Sequence, residues 1–288
     1  MHNNFSQNRA EAVQIKWVNT LTDDIQLYSE ATGDPKSPAI VFVHGFAQAG
    51  LAFDHQFYDH DLTSRFYMVR YDMRGHGWSS APDSLDAYNS DTKWGEDLQS
   101  VIQAWDLKNV SLVGWSQGGV VISEYIRVAG QENVANMIYA APSTSIGNPG
   151  PSTLNPNYTA IFPAIISTDY ETRMLGFKSF TTMITKKPLA QDSYMKALGW
   201  MLATKPICSQ GMRKRVSDNT QALKNLRKPT LIIQGDDDRI QLPLATQITC
   251  ELISNSKLVT IENAGHACFL DQPKVFNQLI SQGEPGLV

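Results

Sequence analysis

The sequence predicts an α/β fold in which helices cover a mostly parallel central sheet. Short apolar runs with strand character alternate along the chain with segments of helical periodicity, the order typical of parallel sheets. The run from Ala39 to Val43 is apolar throughout and lies between Pro38 and Gly45, as expected of a strand buried on both faces. The chain has 288 residues, 42% of them hydrophobic, enough for a sizeable core of this class.

The first half of the chain supplies six predicted strands, at 13–19, 25–29, 39–43, 66–71, 110–114 and 134–140. The first two are joined by a turn at Thr22-Asp23-Asp24. A helix is predicted over 92–105, and its apolar and aromatic side chains recur at helical spacing at Trp94, Leu98, Val101, Ile102 and Trp105. A second helix, over 117–128, follows the fifth strand directly.

The C-terminal part of the chain restores the alternation after a long interruption. Strands are predicted at 230–234 and 257–261, with a helix over 243–253 between them. A last helix is expected to start near Gln272-Pro273, because proline is favourable in the first turn of a helix.

The interruption covers residues 142–228 and is interpreted as an insertion, a helical cap or lid over one end of the sheet. It opens with several prolines and then becomes helical and rich in methionine, phenylalanine and tryptophan. The predicted organisation is therefore a core α/β domain over 1–141 and 229–288, with the cap over 142–228. Four of its side chains recur at helical spacing, and we interpret them first as packing and second as a pocket lining: Met174, Phe177, Phe180 and Met183.

Composition excludes several partners. The formal net charge is −4 and no long basic stripe occurs, so no nucleic-acid partner is expected. The short basic clusters at 186–187 and 213–215 are interpreted as solvated faces. No apolar run is long enough to cross a bilayer, and the first ten residues do not resemble a signal peptide.

The cysteines favour a reducing compartment. Cys208, Cys250 and Cys268 are odd in number and lack the spacing of a metal or redox motif. We therefore expect a cytoplasmic protein without metal or cofactor that acts on a small molecule. A homo-oligomer is left open.

One motif indicates a catalytic residue. It is the run Gly114-Trp115-Ser116-Gln117-Gly118. It fits G-x-S-x-G and lies between a buried strand and a helix. A sharp strand-to-helix turn forces the serine into a strained conformation, so its neighbours must be small. The turn lifts the hydroxyl above the sheet at a helix N-terminus, where developing negative charge is favoured. Ser116 is the predicted nucleophile.

With this motif in this position, the chain resembles the α/β-hydrolase superfamily over nearly its whole length. The resemblance implies the chain order Ser, acid, His. Of the six histidines, His266 alone lies in a loop after a late strand, and it is the predicted base. His44 and His76, in glycine-bounded loops, are expected to make structural hydrogen bonds. His2, His55 and His60 are expected at the surface.

The acid is chosen among three consecutive aspartates, Asp236, Asp237 and Asp238, after a predicted strand. The family's acid commonly falls three residues after a glycine such as Gly235, which selects Asp238. The family's proline usually follows the acid by four residues, and here Pro243 follows Asp238 by five, so Asp237 stays an alternative. A metal site is disfavoured because neighbouring side chains diverge.

The resemblance also implies an oxyanion hole made of two backbone N–H groups. One belongs to Gln117, directly after the nucleophile. The other belongs to Phe46 in His44-Gly45-Phe46, which resembles the family's His-Gly-X element, although Ala47 stands where many relatives have proline. Phe46 and Trp115 are expected at the substrate pocket. The loop 72–79 resembles another family loop, and we favour a structural role for it.

Three classes of function follow from the resemblance. The favoured one is hydrolysis of an ester, lactone or thioester of a small to medium hydrophobic substrate through an acyl-enzyme; perhydrolysis, carbon–carbon bond cleavage or acyl transfer would use the same residues. The second is non-hydrolytic chemistry, as in lyases and biosynthetic cyclases of this fold. The third is a ligand sensor. A serine at position 116 argues against epoxide hydrolases and haloalkane dehalogenases, which use aspartate.

Overall fold

The computed structural model describes residues 13–147 and 152–282. Eight strands lie within this part of the chain: β1 (Gln14–Asn19), β2 (Gln26–Thr32), β3 (Ala39–Val43), β4 (Tyr67–Tyr71), β5 (Val110–Trp115), β6 (Val134–Ala140), β7 (Thr230–Gly235) and β8 (Ser256–Ile261). They form one sheet in the order β1-β2-β4-β3-β5-β6-β7-β8.

The sheet is parallel from β4 to β8 and antiparallel at the other edge. β3 pairs in parallel with both β4 and β5, and β5 to β8 continue the parallel pairing. β1 and β2 form an antiparallel hairpin, and β2 pairs antiparallel with β4. The predicted α/β class with a mostly parallel sheet is confirmed.

The helices of the described residues are α1 (Asp54–Phe57), α2 (His60–Arg65), α3 (Lys93–Ala104), α4 (Gln117–Ala129), α5 (Pro156–Ile165), α6 (Tyr170–Met183), α7 (Gln191–Ala203), α8 (Pro206–Lys214), α9 (Thr220–Asn225), α10 (Pro243–Leu252), α11 (Cys268–Asp271) and α12 (Pro273–Gln282). None of them is long and apolar enough to span a bilayer.

Two apolar cores lie on opposite faces of the sheet because successive side chains of a strand point to opposite faces. In β3, Val41 and Val43 belong to the core shared with α3 and α4. Ile40 and Phe42 belong to the core shared with α1 and α12. The amphipathic pattern predicted for α3 is confirmed, since its apolar side chains are buried in the first of these cores.

The segment between β6 and β7 contains α5 to α9. Side chains of α5, α6 and α7 form a third apolar cluster that also includes Ala47 and Ile240, from the loops after β3 and β7. Phe177 and Phe180 are buried in this cluster, while Met174 and Met183 pack against it, so the packing interpretation of these residues is confirmed.

The helices that follow in the same segment pack differently. Cys208 and Met212 of α8 and Leu223 of α9 are buried in the core shared with α3 and α4. The predicted domain limits at residues 142 and 228 stay a prediction.

The basic cluster 213–215 was expected on a solvated face, and this is wrong for Arg215. Its side chain has no exposed surface and forms an ion pair with Glu124 of α4. Ser217 donates to the same Glu124 oxygen, at 2.5 Å. A buried carboxylate needs a cationic partner, and the chain after α8 turns inward to supply it. The residues next to Arg215 in the sequence give no indication of this ion pair, because Glu124 lies far away along the chain.

Candidate active site

Ser116 occupies the tight turn between β5 and α4. Its backbone dihedral angles are φ 54° and ψ −115°, a region that costs free energy for any residue other than glycine. A Cβ on Gly118 would lie 2.1 Å from the carbonyl oxygen of Val43, and one on Gly114 would lie 2.6 Å from that of Gly118. The turn therefore requires small residues on both sides of the serine, as the motif predicts.

His266 and Asp238 form a buried hydrogen-bonded pair after β8 and β7. Nδ1 of His266 is 2.9 Å and 3.1 Å from the two carboxylate oxygens of Asp238. The two side chains are 2% and 1% exposed. Because a carboxylate only accepts hydrogen bonds, Nδ1 carries the hydrogen, and Nε2 is left to accept a proton.

The three aspartates after β7 point in different directions. Asp238 alone among them contacts His266, and its Oδ1 also accepts hydrogen bonds from the backbone N–H groups of Ile240 and Gln241, at 2.8 Å and 2.9 Å. Asp237 pairs with Arg239 at 2.7 Å. Asp236 pairs with Lys186 at 3.1 Å. Within the described residues no group of three or more His, Cys, Asp or Glu side chains is arranged to hold a metal ion.

Trp115 lies beneath the site and not at the pocket wall, which corrects the prediction. It is 1% exposed and packs in the core shared with α1 and α12. Its Nε1–H donates to the backbone carbonyl of His266 at 3.1 Å, and the two ring centroids are 5.7 Å apart. The physical reason is strand alternation, which directs Trp115 into the sheet face and away from the cavity. The indole thus ties the histidine loop to the nucleophile turn.

The Ser116 side chain faces a cavity. Across residues 13–147 and 152–282, Ser116 Oγ forms no hydrogen bond, and this includes His266. The serine lines the cavity together with Phe46 and Gln117. The structure therefore joins His266 to Asp238 directly, and joins His266 to the serine turn through Trp115.

The loop after β3 adjoins this turn. A Cβ on Gly45 would lie 3.4 Å from Cβ of Ser116. The backbone N–H groups of Phe46 and Gln117 donate to no acceptor in the described part of the chain. Ala47 adopts a positive φ of 53°, which proline cannot adopt. The N–H of Ala47 donates to Nε2 of His76, at 3.2 Å.

His44 and His76 make the structural hydrogen bonds predicted for them. Nε2 of His44 accepts from the N–H of Met73 at 2.9 Å, and Nδ1 of His76 donates to the carbonyl of Arg74 at 2.9 Å. Burial lowers the pKa of His44 well below its ordinary value and lowers the pKa of His76 to about 4. Both rings are therefore neutral at neutral pH. His55 and His60 are exposed, as predicted, and His2 lies outside the described residues.

The loop 72–79 is held by two buried charged side chains. Asp72 accepts from the N–H groups of Gly50 and Trp78, at 2.7 Å and 2.9 Å, and burial raises its pKa to about 6. Arg74 forms ion pairs with Asp97 and Asp23. The predicted structural role of this loop is confirmed.

The cavity has a volume of about 500 Å³. Its lining includes aromatic and aliphatic side chains, from Phe46, Tyr158, Phe162 and Ile240, and hydroxyl and amide groups, from Ser143, Ser145, Thr220 and Gln241. The position of Phe46 agrees with the prediction. A cavity of this size suits a small to medium ligand.

Comparison with known proteins decides the family. A family model described as the alpha/beta hydrolase family matches residues 40–279. The chain belongs to the alpha/beta hydrolase family.

Several alpha/beta hydrolases resemble this chain over most of its length. Non-heme chloroperoxidase CPO-A1 from Kitasatospora aureofaciens is 26% identical over 261 residues, 86% of this chain and 90% of the relative. Bifunctional esterase/perhydrolase DCH from Acinetobacter calcoaceticus is 24% identical over 275 residues, 90% and 96% of the two chains. The solved structure of esterase RhEst1 from Rhodococcus sp. ECU1013 has a TM-score of 0.85 and 25% identity, covering 93% and 97%. The family and these relatives support hydrolase chemistry.

Two polar residues of this alpha/beta hydrolase site escaped sequence reasoning. The N–H of Ser143 donates to the carbonyl of Ser116 at 3.1 Å, and the Ser143 hydroxyl accepts from the side-chain amide of Gln241. Since the N–H of Gln241 also binds Asp238, the pair connects the acid loop to the nucleophile turn. The sequence offers one weak signal, that Gln241 follows Asp238 by three residues, where a backbone N–H often binds an aspartate side chain.

Proposed function

We propose that this chain is a carboxylic ester hydrolase in which Ser116 is the nucleophile, His266 the general base and Asp238 the orienting acid. The observation that carries the proposal is the buried His266–Asp238 hydrogen bond beside a strained serine that faces a cavity. A base oriented by a carboxylate and paired with a serine at a substrate cavity is the arrangement that activates a hydroxyl for acyl transfer.

In the first step, Nε2 of His266 accepts the hydroxyl proton as Ser116 Oγ attacks the ester carbonyl carbon. The carbonyl oxygen becomes an oxyanion and accepts hydrogen bonds from the N–H groups of Phe46 and Gln117, which have no other acceptor in the described residues. The imidazolium then gives its proton to the departing alcohol, and the acyl group stays on Ser116.

In the second step, water attacks the acyl carbon and loses a proton to Nε2 of His266. Serine leaves with that proton, and the carboxylic acid is released. Asp238 stabilises the imidazolium in both steps. Its carboxylate is held by the N–H groups of Ile240 and Gln241, so it cannot rotate away from Nδ1.

The hydrogen bond between Ser116 and His266 is expected to form with substrate bound. Hydrogen bonds between catalytic groups are often long or misaligned in free enzymes and tighten in the complex. Trp115 holds the histidine loop against the serine turn, so the two catalytic groups stay in neighbouring segments.

The substrate is proposed to be a small to medium ester with an apolar acyl group. The backbone of Phe46 supplies one of the proposed oxyanion donors, and its ring centroid is 6.1 Å from that of Phe162. Together with Tyr158 and Ile240 these rings offer an apolar wall for an acyl chain.

Turnover of 4-nitrophenyl butyrate tests this proposal. We expect steady-state hydrolysis by the wild type and a loss of at least about 1,000-fold in kcat for Ser116→Ala. The control is Ser179→Ala, which removes an exposed hydroxyl from α6 and should leave kcat within twofold. Equal activity in Ser116→Ala and wild type would contradict the proposal.

Perhydrolysis is the second candidate, favoured by the relative named as an esterase and perhydrolase. In this reaction hydrogen peroxide replaces water as the attacking group, and the acyl-enzyme yields a peracid. We expect any peracid formed from acetate and hydrogen peroxide to depend on Ser116 as ester hydrolysis does. Peracid formation that persists in Ser116→Ala would contradict this route.

A further inference from the structure

Arg213 brings a positive charge to the cavity. It lies at the C-terminal end of α8, and its exposed side chain lines the cavity. The guanidinium carbon lies 5.1 Å from the ring centroid of Phe162, within the range of a cation–π interaction. No other charged side chain is found among the described lining residues.

Unlike Arg70, Arg74 and Arg215, Arg213 has no carboxylate partner in the described part of the chain. Arg70 and Arg74 each form ion pairs with two carboxylates, and Arg215 pairs with Glu124. Across residues 13–147 and 152–282, no carboxylate pairs with Arg213. An aromatic face leaves the guanidinium N–H groups free, so Arg213 retains its donors for a ligand.

A second free donor lies on the same wall. Tyr158 is 4% exposed and lines the cavity, and its hydroxyl has no hydrogen-bond partner in the described part of the chain. Burial raises the pKa of Tyr158, and the positive charge of Arg213 opposes that rise. Both side chains contact Phe162: the Tyr158 and Phe162 ring centroids are 4.9 Å apart, and the guanidinium carbon of Arg213 lies 5.1 Å from the Phe162 centroid.

We propose that Arg213 and the Tyr158 hydroxyl bind a carboxylate, so that the substrate is an ester carrying a free carboxylate, such as a half-ester of a dicarboxylic acid. This inference rests on the proposed function of Ser116. Phe46 follows Gly45, which adjoins the nucleophile turn, and its ring contacts Phe162, which in turn contacts Arg213, so an apolar spacer would join the ester carbonyl to the carboxylate. A guanidinium fork and a phenol supply donors that match a carboxylate.

Matched substrates test the charge preference. Mono-4-nitrophenyl adipate carries a carboxylate, and methyl 4-nitrophenyl adipate is its neutral counterpart. We expect the wild type to show a kcat/KM about tenfold higher for the half-ester, mainly through KM. Arg213→Gln should abolish this preference. Lys214→Gln, which removes an equal charge from the neighbouring exposed position, should retain it.

A third ester, 4-carboxyphenyl hexanoate, places the carboxylate on the alcohol side. A preference that depends on Arg213 for either anionic ester supports the proposal and shows which side of the ester faces the arginine. The proposal is overturned if the wild type treats charged and neutral esters alike. It is also overturned if Arg213→Gln lowers kcat/KM equally for both.

Binding separates this inference from the proposed function. Monomethyl adipate is titrated by calorimetry into Ser116→Ala, in which hydrolysis is blocked, and into the double variant with Arg213→Gln. Affinity that falls about tenfold in the double variant supports the carboxylate site even if no ester is hydrolysed by the wild type. Equal affinity in the two proteins overturns the carboxylate site even if esters are hydrolysed.

Discussion

Ser116 keeps its strained backbone because both of its backbone polar groups are bonded. Its N–H donates to the carbonyl of Ala140 at 2.9 Å, and its carbonyl accepts from Gly119 and Ser143, at 2.9 Å and 3.1 Å. Strained conformations persist where the surroundings determine them in this way. The side chain is thereby directed into the cavity, where a substrate carbonyl can reach it.

The identity of the acid is a prediction at this scale. Asp238→Asn keeps the size of the side chain but removes the charge that stabilises the imidazolium, so kcat for an aryl ester should fall by about 1,000- to 10,000-fold. Asp237→Asn is the matched control, since Asp237 pairs with Arg239 at the surface, and kcat should stay within a few-fold. Steady-state kinetics of the two variants decide the matter, and a greater loss in Asp237→Asn would refute the assignment.

At the scale of elements, the N-terminus of α4 packs against the end of β3 at backbone contact distance. Gly118 makes this approach possible, because a Cβ there would meet the carbonyl oxygen of Val43 at 2.1 Å and that of His44 at 2.8 Å. Helix propensity alone would favour alanine over glycine at this position. Packing overrides that preference.

Two glycine substitutions test this. Gly199 lies exposed in α7, and a Cβ there would meet no atom within 4 Å. Gly199→Ala should raise the free energy of unfolding by about 0.5–1 kcal/mol. Gly118→Ala should lower it by about 1–3 kcal/mol, since the helix or strand must shift. Urea unfolding followed by circular dichroism measures both, and similar stabilisation by the two changes would be evidence against the close approach.

The elements that the sequence predicts well are those long enough to show a complete repeat of their apolar pattern. The eight strands and the helices α3, α4 and α10 show clear apolar patterns, and their predicted limits agree closely with the structure. The short helices α1, α2 and α11 were missed because each has too few residues to show helical periodicity. Trp115 and Arg215 were misplaced because their surroundings come from distant segments: the His266 loop for one and Glu124 for the other.

At the scale of the whole molecule, the buried titratable groups that hold the loops after β3 and β4 make the free energy of unfolding depend on pH. His76 bonds to the loop after β3, and its pKa is depressed to about 4. The unfolded chain therefore binds more protons than the folded chain as pH falls from about 6.5 to 4, and stability decreases over that window. Asp72, whose pKa is raised to about 6, acts in the opposite direction between about pH 6 and 4.

His76→Gln isolates the histidine contribution. The wild type should be more stable at pH 7, and its advantage should shrink by about 3 kcal/mol as pH falls to about 4. His55→Gln, at an exposed histidine, should give a curve parallel to that of the wild type. Unfolding free energies measured by urea titration at several pH values provide the comparison. A constant difference between wild type and His76→Gln would show that His76 is not buried neutral.

More of the fold than of the candidate site could be predicted from the sequence alone. Alternating patterns determine the sheet, and local motifs select Ser116 and His266. The lining of the cavity could not be predicted in this way, since Arg213, Tyr158 and Gln241 come together only through the packing of α5 and α8 over the sheet. Substrate preference therefore depends on tertiary contacts that no local pattern carries.

The central claim, that Ser116 is the nucleophile, is tested most directly by labelling with a fluorophosphonate and mapping the modified peptide by mass spectrometry. A fluorophosphonate reacts with an activated serine and stays bound as a covalent adduct. We expect a single adduct on Ser116 in the wild type and none in Ser116→Ala. Labelling at another residue, or no labelling of the wild type, would contradict it.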